Sequence, residues 1–93
     1  MFVRVVRFTD VTSERVESLG ARIDETGPPP GVSIKKLQLV FDEEQGTAVV
    51  LQYFDTEENL RAGADTFAAM DPSETPGSRA SVDMGELKVE REL

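Results

Sequence analysis

Apolar and polar positions along the chain follow a pattern that predicts four strands and two helices. Residues 2–8 combine β-branched and aromatic side chains, and neither of their two alternating faces is mainly polar. Such a run predicts a buried strand. Residues 32–42 and 47–54 predict a second and a third strand, and residues 80–93 predict the last one.

The segment between the second and third strands indicates how they pair. Residues 43–46 are short and polar and end on Gly46. A loop of this kind between two β-rich runs predicts an antiparallel hairpin, with Gly46 at the position that needs a positive φ. In the last strand the apolar side chains change parity at Gly85, which predicts a bulge or bend there.

Two amphipathic segments lie between the strands. The first follows Asp10, Thr12 and Ser13, whose side-chain oxygens can cap a helix. It has apolar residues at helical spacing, Val16, Leu19 and Ile23. Three prolines within residues 27–31 end it.

The second helix is predicted to start at Asp55, with Glu58 three residues later completing a capping box. It is predicted to stop at Asp71-Pro72, and Gly63 permits a close approach or weakens the helix. Its expected buried stripe is Leu60, Ala64 and Phe67, with Met70 at the end.

This order of elements predicts an α+β fold, β-α-β-β-α-β, as a single domain over residues 1–93. Right-handed crossovers place both helices on one face of a four-stranded antiparallel sheet, with the first and third strands central. Both parities of these central strands are apolar, so the open face also needs burial. A second copy in a two-fold dimer is the expected cover. The alternative is a different partner or the C-terminal segment of the same chain.

Composition limits the chemistry. Ten Lys and Arg against eighteen Asp and Glu give a net charge of −8, which argues against nucleic acids and anionic membranes as partners. With no Cys and no His, thiol nucleophiles, imidazole bases and thiolate or imidazole metal sites are excluded. No apolar run reaches the length of a membrane span, and the chain passes from Met1 directly into a strand, so we expect a cytoplasmic protein.

Residues 2–8, the hairpin around residues 44–48 and the strand-to-helix passage 51–60 resemble the dimeric α/β-barrel superfamily, which has a ferredoxin-like fold. Within it, they resemble especially the antibiotic-biosynthesis-monooxygenase-like domains. The resemblance implies two protomers packed sheet against sheet, with a cavity beside each sheet. It also implies a small apolar or aromatic metabolite as ligand. If the protein is an enzyme, the resemblance implies a cofactor-free monooxygenase-like or isomerase-like activity.

The chain departs from that family at positions that matter for function. Many members carry Glu and then Trp two residues later, where this chain has Gln52 and Phe54, and Gly63 stands where a His often follows. Haem-degrading relatives need an Asn, a Trp and a haem-ligating His. A chain without His or Trp cannot supply that set, so we expect haem independence, no cofactor and no metal site.

Six residues are candidates for ligand binding: Arg4, Arg7, Gln38, Gln52, Tyr53 and Phe54. Tyr53, the only tyrosine, can donate a hydrogen bond to a carbonyl, or it is simply a core aromatic. Arg4 and Arg7 lie on opposite faces of a central strand, so one of them is expected to point inward and hold an anionic or carbonyl group, or else form a salt bridge.

Gln38 and Gln52 share even parity in the two hairpin strands, which suggests that they lie on one face and bind a polar group or each other. Asp42, Glu43 and Glu44 are interpreted as a solvated turn and not as a cation site. No catalytic residue is assigned. The alternative function is a non-catalytic structural or regulatory dimerisation module whose barrel is packed with side chains. A cavity would favour ligand binding, and a filled interior would favour the module.

Overall fold

The sheet is built from four antiparallel strands, and a computed structural model describes residues 1–71 and 74–93 of the chain. In chain order the elements are β1 (Phe2–Thr9), α1 (Ser13–Thr26), β2 (Lys36–Asp42), β3 (Thr47–Phe54), α2 (Glu57–Ala68) and β4 (Ser78–Glu86). The strand order across the sheet is β2-β3-β1-β4. This is the predicted β-α-β-β-α-β arrangement with β1 and β3 central, and it is confirmed. Among the described residues, neither helix has the length and apolar character to cross a membrane.

The β2–β3 hairpin forms as predicted. Asp42 pairs with Thr47 at its end, and Gly46 adopts a positive φ of 67°. The Asp42 side chain stabilises the turn by accepting hydrogen bonds from the Gln45 backbone N–H at 3.1 Å and from Gln45 Nε2 at 2.7 Å. This is the turn role expected for the acidic run.

The strand bounds differ most from the prediction at the start of β2 and at the end of β4. β2 begins at Lys36 and not at residue 32, because the preceding apolar side chains, Val32 and Ile34, belong to the core around Phe54. β4 ends at Glu86, so the change of parity at Gly85 marks the end of the strand and not a bulge. The register shift lies instead between Arg7 and Phe8 of β1, opposite Ser81 and Arg79.

Threonines cap both helices. Thr12 accepts a hydrogen bond from the Arg15 backbone N–H at 3.2 Å, and Thr56 accepts one from the Asn59 backbone N–H at 3.1 Å. The predicted cap at Asp55 was therefore wrong by one residue. The Asp55 carboxylate instead lies 3.2 Å from Lys35 Nζ, and an ion pair competes with capping for the same oxygens. α2 ends at Ala68, and Pro72 of the predicted stop lies outside the described residues.

The core lies on the face of the sheet that the helices cover. Its larger cluster is Val6, Phe8, Val11, Ala48 and Val50, and the smaller one is Val32, Phe54 and Leu60. α2 packs on β1 and β3, whereas no residue of α1 is fully buried. Leu19 and Ile23, on the apolar side of α1, face a cavity that lies between α1 and the sheet.

Candidate functional site

A partly enclosed cavity of about 600 Å³ lies between α1, the proline-rich turn that follows it and the helix-covered face of the sheet. Its apolar lining includes Val6, Leu19, Ile23, Leu39, Val50 and Phe67. The volume is within the range of about 300–1,000 Å³ that is typical of small-molecule sites. The helix-covered side of this chain is therefore not filled with side chains.

A buried arginine lies in the cavity wall. Arg4 is only 4% exposed and stands opposite Gln52 in the β1–β3 ladder. Its Nη1 donates a hydrogen bond to Gln52 Oε1 at 2.9 Å. The ring of Phe67 from α2 lies 5.4 Å from the guanidinium carbon, within range of a cation–π contact. Strand pairing and helix packing thus hold Arg4 from two sides.

The guanidinium of Arg4 is incompletely satisfied. Its Nε is buried and has no hydrogen-bond partner among residues 1–71 and 74–93. Within the same residues its guanidinium has no carboxylate close enough for an ion pair. Burial lowers the pKa of Arg4, and the positive charge of Arg79 lowers it further. Arg4 is thus a desolvated cation beside a second cation.

The basic character of the cavity contrasts with the acidic chain around it. In the described part of the chain, one acidic side chain lines it, Glu74. The basic side chains that line it from the helix-covered side are Arg4, Arg22, Lys35 and Arg79, whereas the Lys36 ammonium lies over the Tyr53 ring on the opposite face of the sheet. Since the whole chain carries a net charge of −8, the cavity concentrates positive charge in an otherwise negative molecule.

Polar contacts at one rim connect α1 with the segment before β4. Arg22 Nη2 lies 3.2 Å from Glu74 Oε1, and the Arg15 side chain donates to the Thr75 carbonyl. Both members of the Arg22–Glu74 pair line the cavity. Because the pair is substantially exposed, it contributes little to stability.

The two glutamines lie on opposite faces of the sheet, so the expectation that they share a face was wrong. The register places Gln38 opposite Leu51 and Gln52 opposite Leu37. The hairpin loop sets even-numbered residues of β2 against odd-numbered residues of β3, and paired residues share a face. Gln52 therefore lies in the cavity, and Gln38 lies on the open face.

The other candidates lie away from the cavity. On the open face Tyr53 Oη donates to Gln38 Oε1 at 2.8 Å, and Lys36 Nζ lies 5.1 Å from the Tyr53 ring centre. Arg7 is exposed on that face. Phe54 is fully buried against Gly63. The structure therefore brings together Arg4 and Gln52 of the six candidates, and Tyr53 does not converge with them.

Sequence reasoning missed Arg22 and Arg79 as cavity residues. Arg22 follows Leu19 by three positions in α1, so a helical projection sets it beside the apolar stripe. Nothing in the sequence indicates Arg79, because its place follows from the β1–β4 register.

In chemical terms, the site offers guanidinium and amide donors to a ligand oxygen. Among the described residues no cluster of three metal-ligating side chains is found.

Comparison with known proteins supports the fold. No protein-family model matches the sequence, and no curated protein matches it. Among solved structures, a substituted form of MhuD with two manganese protoporphyrin IX molecules bound per active site matches with a TM-score of 0.57 and 14% identity, over 100% of this chain and 98% of that chain. An uncharacterised NIPSNAP domain protein from Burkholderia xenovorans matches with a TM-score of 0.45 and 14% identity, over 97% and 95%. At this identity the MhuD match establishes the ferredoxin-like fold that the sequence resemblance implied.

Proposed function

We propose that this protein binds a small apolar or aromatic metabolite in the cavity between α1 and the sheet, without haem. The observation that carries the proposal is the cavity itself, whose apolar walls surround one buried polar pair, Arg4 and Gln52. Ligand sites typically combine such walls with a few placed polar groups that orient the ligand.

Haem independence rests on the residues available as axial ligands. The MhuD structure contains manganese protoporphyrin IX, but this chain has no His. Its single tyrosine is hydrogen-bonded to Gln38 on the face opposite the cavity. We therefore expect hemin to give no Soret shift typical of iron coordination when titrated into the protein. A saturable shift at one equivalent would contradict this part of the proposal.

If the bound metabolite is also transformed, the reaction belongs to the cofactor-free monooxygenase-like or isomerase-like classes. Arg4 and Gln52 are then the groups placed to stabilise negative charge on a substrate oxygen, since donors in a water-poor site act strongly on developing charge. Tyr53 takes no part because it lies on the other face.

The neutral dye N-phenyl-1-naphthylamine tests binding directly, because its fluorescence rises in apolar surroundings. We expect saturable binding to the unsubstituted protein and a loss of about tenfold or more in affinity for Ile23→Trp, which fills the cavity from α1. Tyr53→Phe is the matched control and should leave the affinity unchanged. Absence of binding, or equal binding by Ile23→Trp, would refute the proposal.

We also propose that two copies pair through the open faces of their sheets, as in a dimeric α/β barrel. The support is a row of apolar side chains on the central strands, Val3, Val5, Val49 and Leu51, that no helix covers. This face equally supports the second candidate function, a structural or regulatory dimerisation module. Sedimentation velocity should show a particle of twice 10.2 kDa that Leu51→Glu converts to monomer, whereas a monomer at micromolar concentration would refute the dimer.

A further inference from the structure

Arg4 is a charge whose partner is missing from the described residues. Buried charges in proteins are ordinarily paired and hydrogen-bonded, because desolvation of an isolated ion is costly. Here Arg4 is 4% exposed, and its guanidinium donates a hydrogen bond to a neutral amide. Within residues 1–71 and 74–93, no acceptor meets its Nε and no carboxylate lies close enough to neutralise its charge. The described fold thus holds a desolvated cation in the wall of a cavity.

The surrounding charges strengthen the case. Of the basic residues that line the cavity, Arg22 pairs with Glu74 and Lys35 with Asp55. Arg79 remains near Arg4 on the helix-covered side, since its register partner is Phe8. Its Nη2 donates to the Phe67 carbonyl at 3.3 Å, a neutral acceptor. Two guanidinium groups therefore approach the same apolar space, in a chain with an excess of acidic residues.

We propose that the ligand of this cavity is an amphipathic carboxylate, with its apolar body against α1 and the core and its carboxylate at Arg4, assisted by Arg79. The inference rests on the proposed binding function and names the class of ligand. A guanidinium suits this role because its planar donors match the two oxygens of a carboxylate. Gln52 holds Nη1 and so fixes the plane in which the remaining donors are presented.

The test compares two ligands of the same shape that differ in charge. Naphthalene-2-carboxylate and naphthalene-2-carboxamide each compete with N-phenyl-1-naphthylamine for the unsubstituted protein. We expect the carboxylate to bind about 10- to 100-fold more tightly, the range for a hydrogen bond to a charged group. In Arg4→Met this preference should disappear while the amide still displaces the dye. Arg79→Met should reduce the preference by a smaller factor.

Arg7→Met is the matched control, since it makes the same substitution in the same strand but on the exposed, opposite face. It should retain the full preference for the carboxylate. Circular dichroism verifies that each variant is folded. The ratio of the affinities for the carboxylate and the carboxamide is measured on the unsubstituted protein, so it does not depend on the folding of any variant. Equal affinity for the two ligands, or a preference that survives Arg4→Met, would overturn the inference while dye binding leaves the proposed function intact. Failure of the dye itself to bind would overturn both.

Discussion

Gly63 allows α2 to lie against β3, and adding one methyl group there tests how tightly the two elements pack. A Cβ at this position would stand 2.7 Å and 2.9 Å from two ring carbons of Phe54, whereas non-bonded carbons normally lie about 3.5–4.0 Å apart. Phe54 is 0% exposed, so its ring cannot move into solvent. Phe67, which covers Arg4, lies one helical turn further along the same face of α2.

The expected cost of Gly63→Ala is the difference between two opposing effects. Inserting a methyl group into a filled core costs about 1–3 kcal/mol. Replacing glycine with alanine inside a helix raises the free energy of unfolding by about 1 kcal/mol. We therefore expect the free energy of unfolding to fall by about 1 kcal/mol, with α2 displaced from the sheet and the contact between Phe67 and Arg4 lengthened.

Gly20→Ala is the control, because Gly20 also lies inside a helix but a Cβ there would meet nothing within 4 Å. The free energy of unfolding of this variant should rise by about 1 kcal/mol. The free energies of unfolding of the two variants, measured with urea, should therefore differ by about 2 kcal/mol. In a domain of this size that corresponds to Tm values separated by about 8–16 °C. If both alanines stabilise the protein equally, the close packing of α2 on Phe54 is refuted.

Three further predictions concern the buried Arg4–Gln52 hydrogen bond, the hairpin turn at Gly46 and the exposed Glu86–Lys88 ion pair. Gln52→Leu should lower the free energy of unfolding by about 2 kcal/mol because it removes the acceptor of a buried charge. Arg4→Met/Gln52→Leu should be at least as stable as the unsubstituted protein in the same urea assay, and a double variant less stable than the unsubstituted protein would contradict this. Gly46→Ala should lower the free energy of unfolding by about 1–2 kcal/mol, because φ at this position is 67° and a residue with a Cβ is strained in that conformation. Unchanged thermal stability would show that the turn relaxes to accommodate alanine. The pKa of Glu86 is lowered by its hydrogen bond to Lys88 and by that residue's charge, with Lys88 Nζ 2.7 Å from Glu86 Oε1. The stabilisation therefore exists above the unfolded pKa and is lost as pH falls through the folded one. NMR titration of Lys88→Met should find the pKa of Glu86 raised toward its ordinary value, and an unchanged pKa would contradict this.

Much of the fold could be predicted because it is encoded locally. The β-branched runs, the proline-rich break and Gly46 defined the order of elements and the hairpin, since propensity and turn chemistry act over a few residues. Helix starts were less certain. Asp55 and Thr56 are adjacent residues that can both cap α2. In the structure Thr56 is the cap, and the Asp55 carboxylate lies beside Lys35, twenty residues earlier in the chain.

Three features follow from the order of residues alone: the strand and helix pattern, the apolar character of both faces of the central strands, and the lack of imidazole and thiol groups. Which polar residues meet depends on how the strands and helices pack. The sequence shows which residues of one strand share a face, but it does not show which residues of neighbouring strands pair. The β2–β3 register places Gln38 and Gln52 on opposite faces, and the β1–β3 register places Gln52 beside Arg4. The β1–β4 register brings Arg79 to the cavity of Arg4, and the packing of α1 away from the sheet leaves Arg22 at the edge of the same cavity. Local propensities act between neighbours in the chain, whereas the charge environment of a buried group depends on residues that only the folded sheet and its helices bring close.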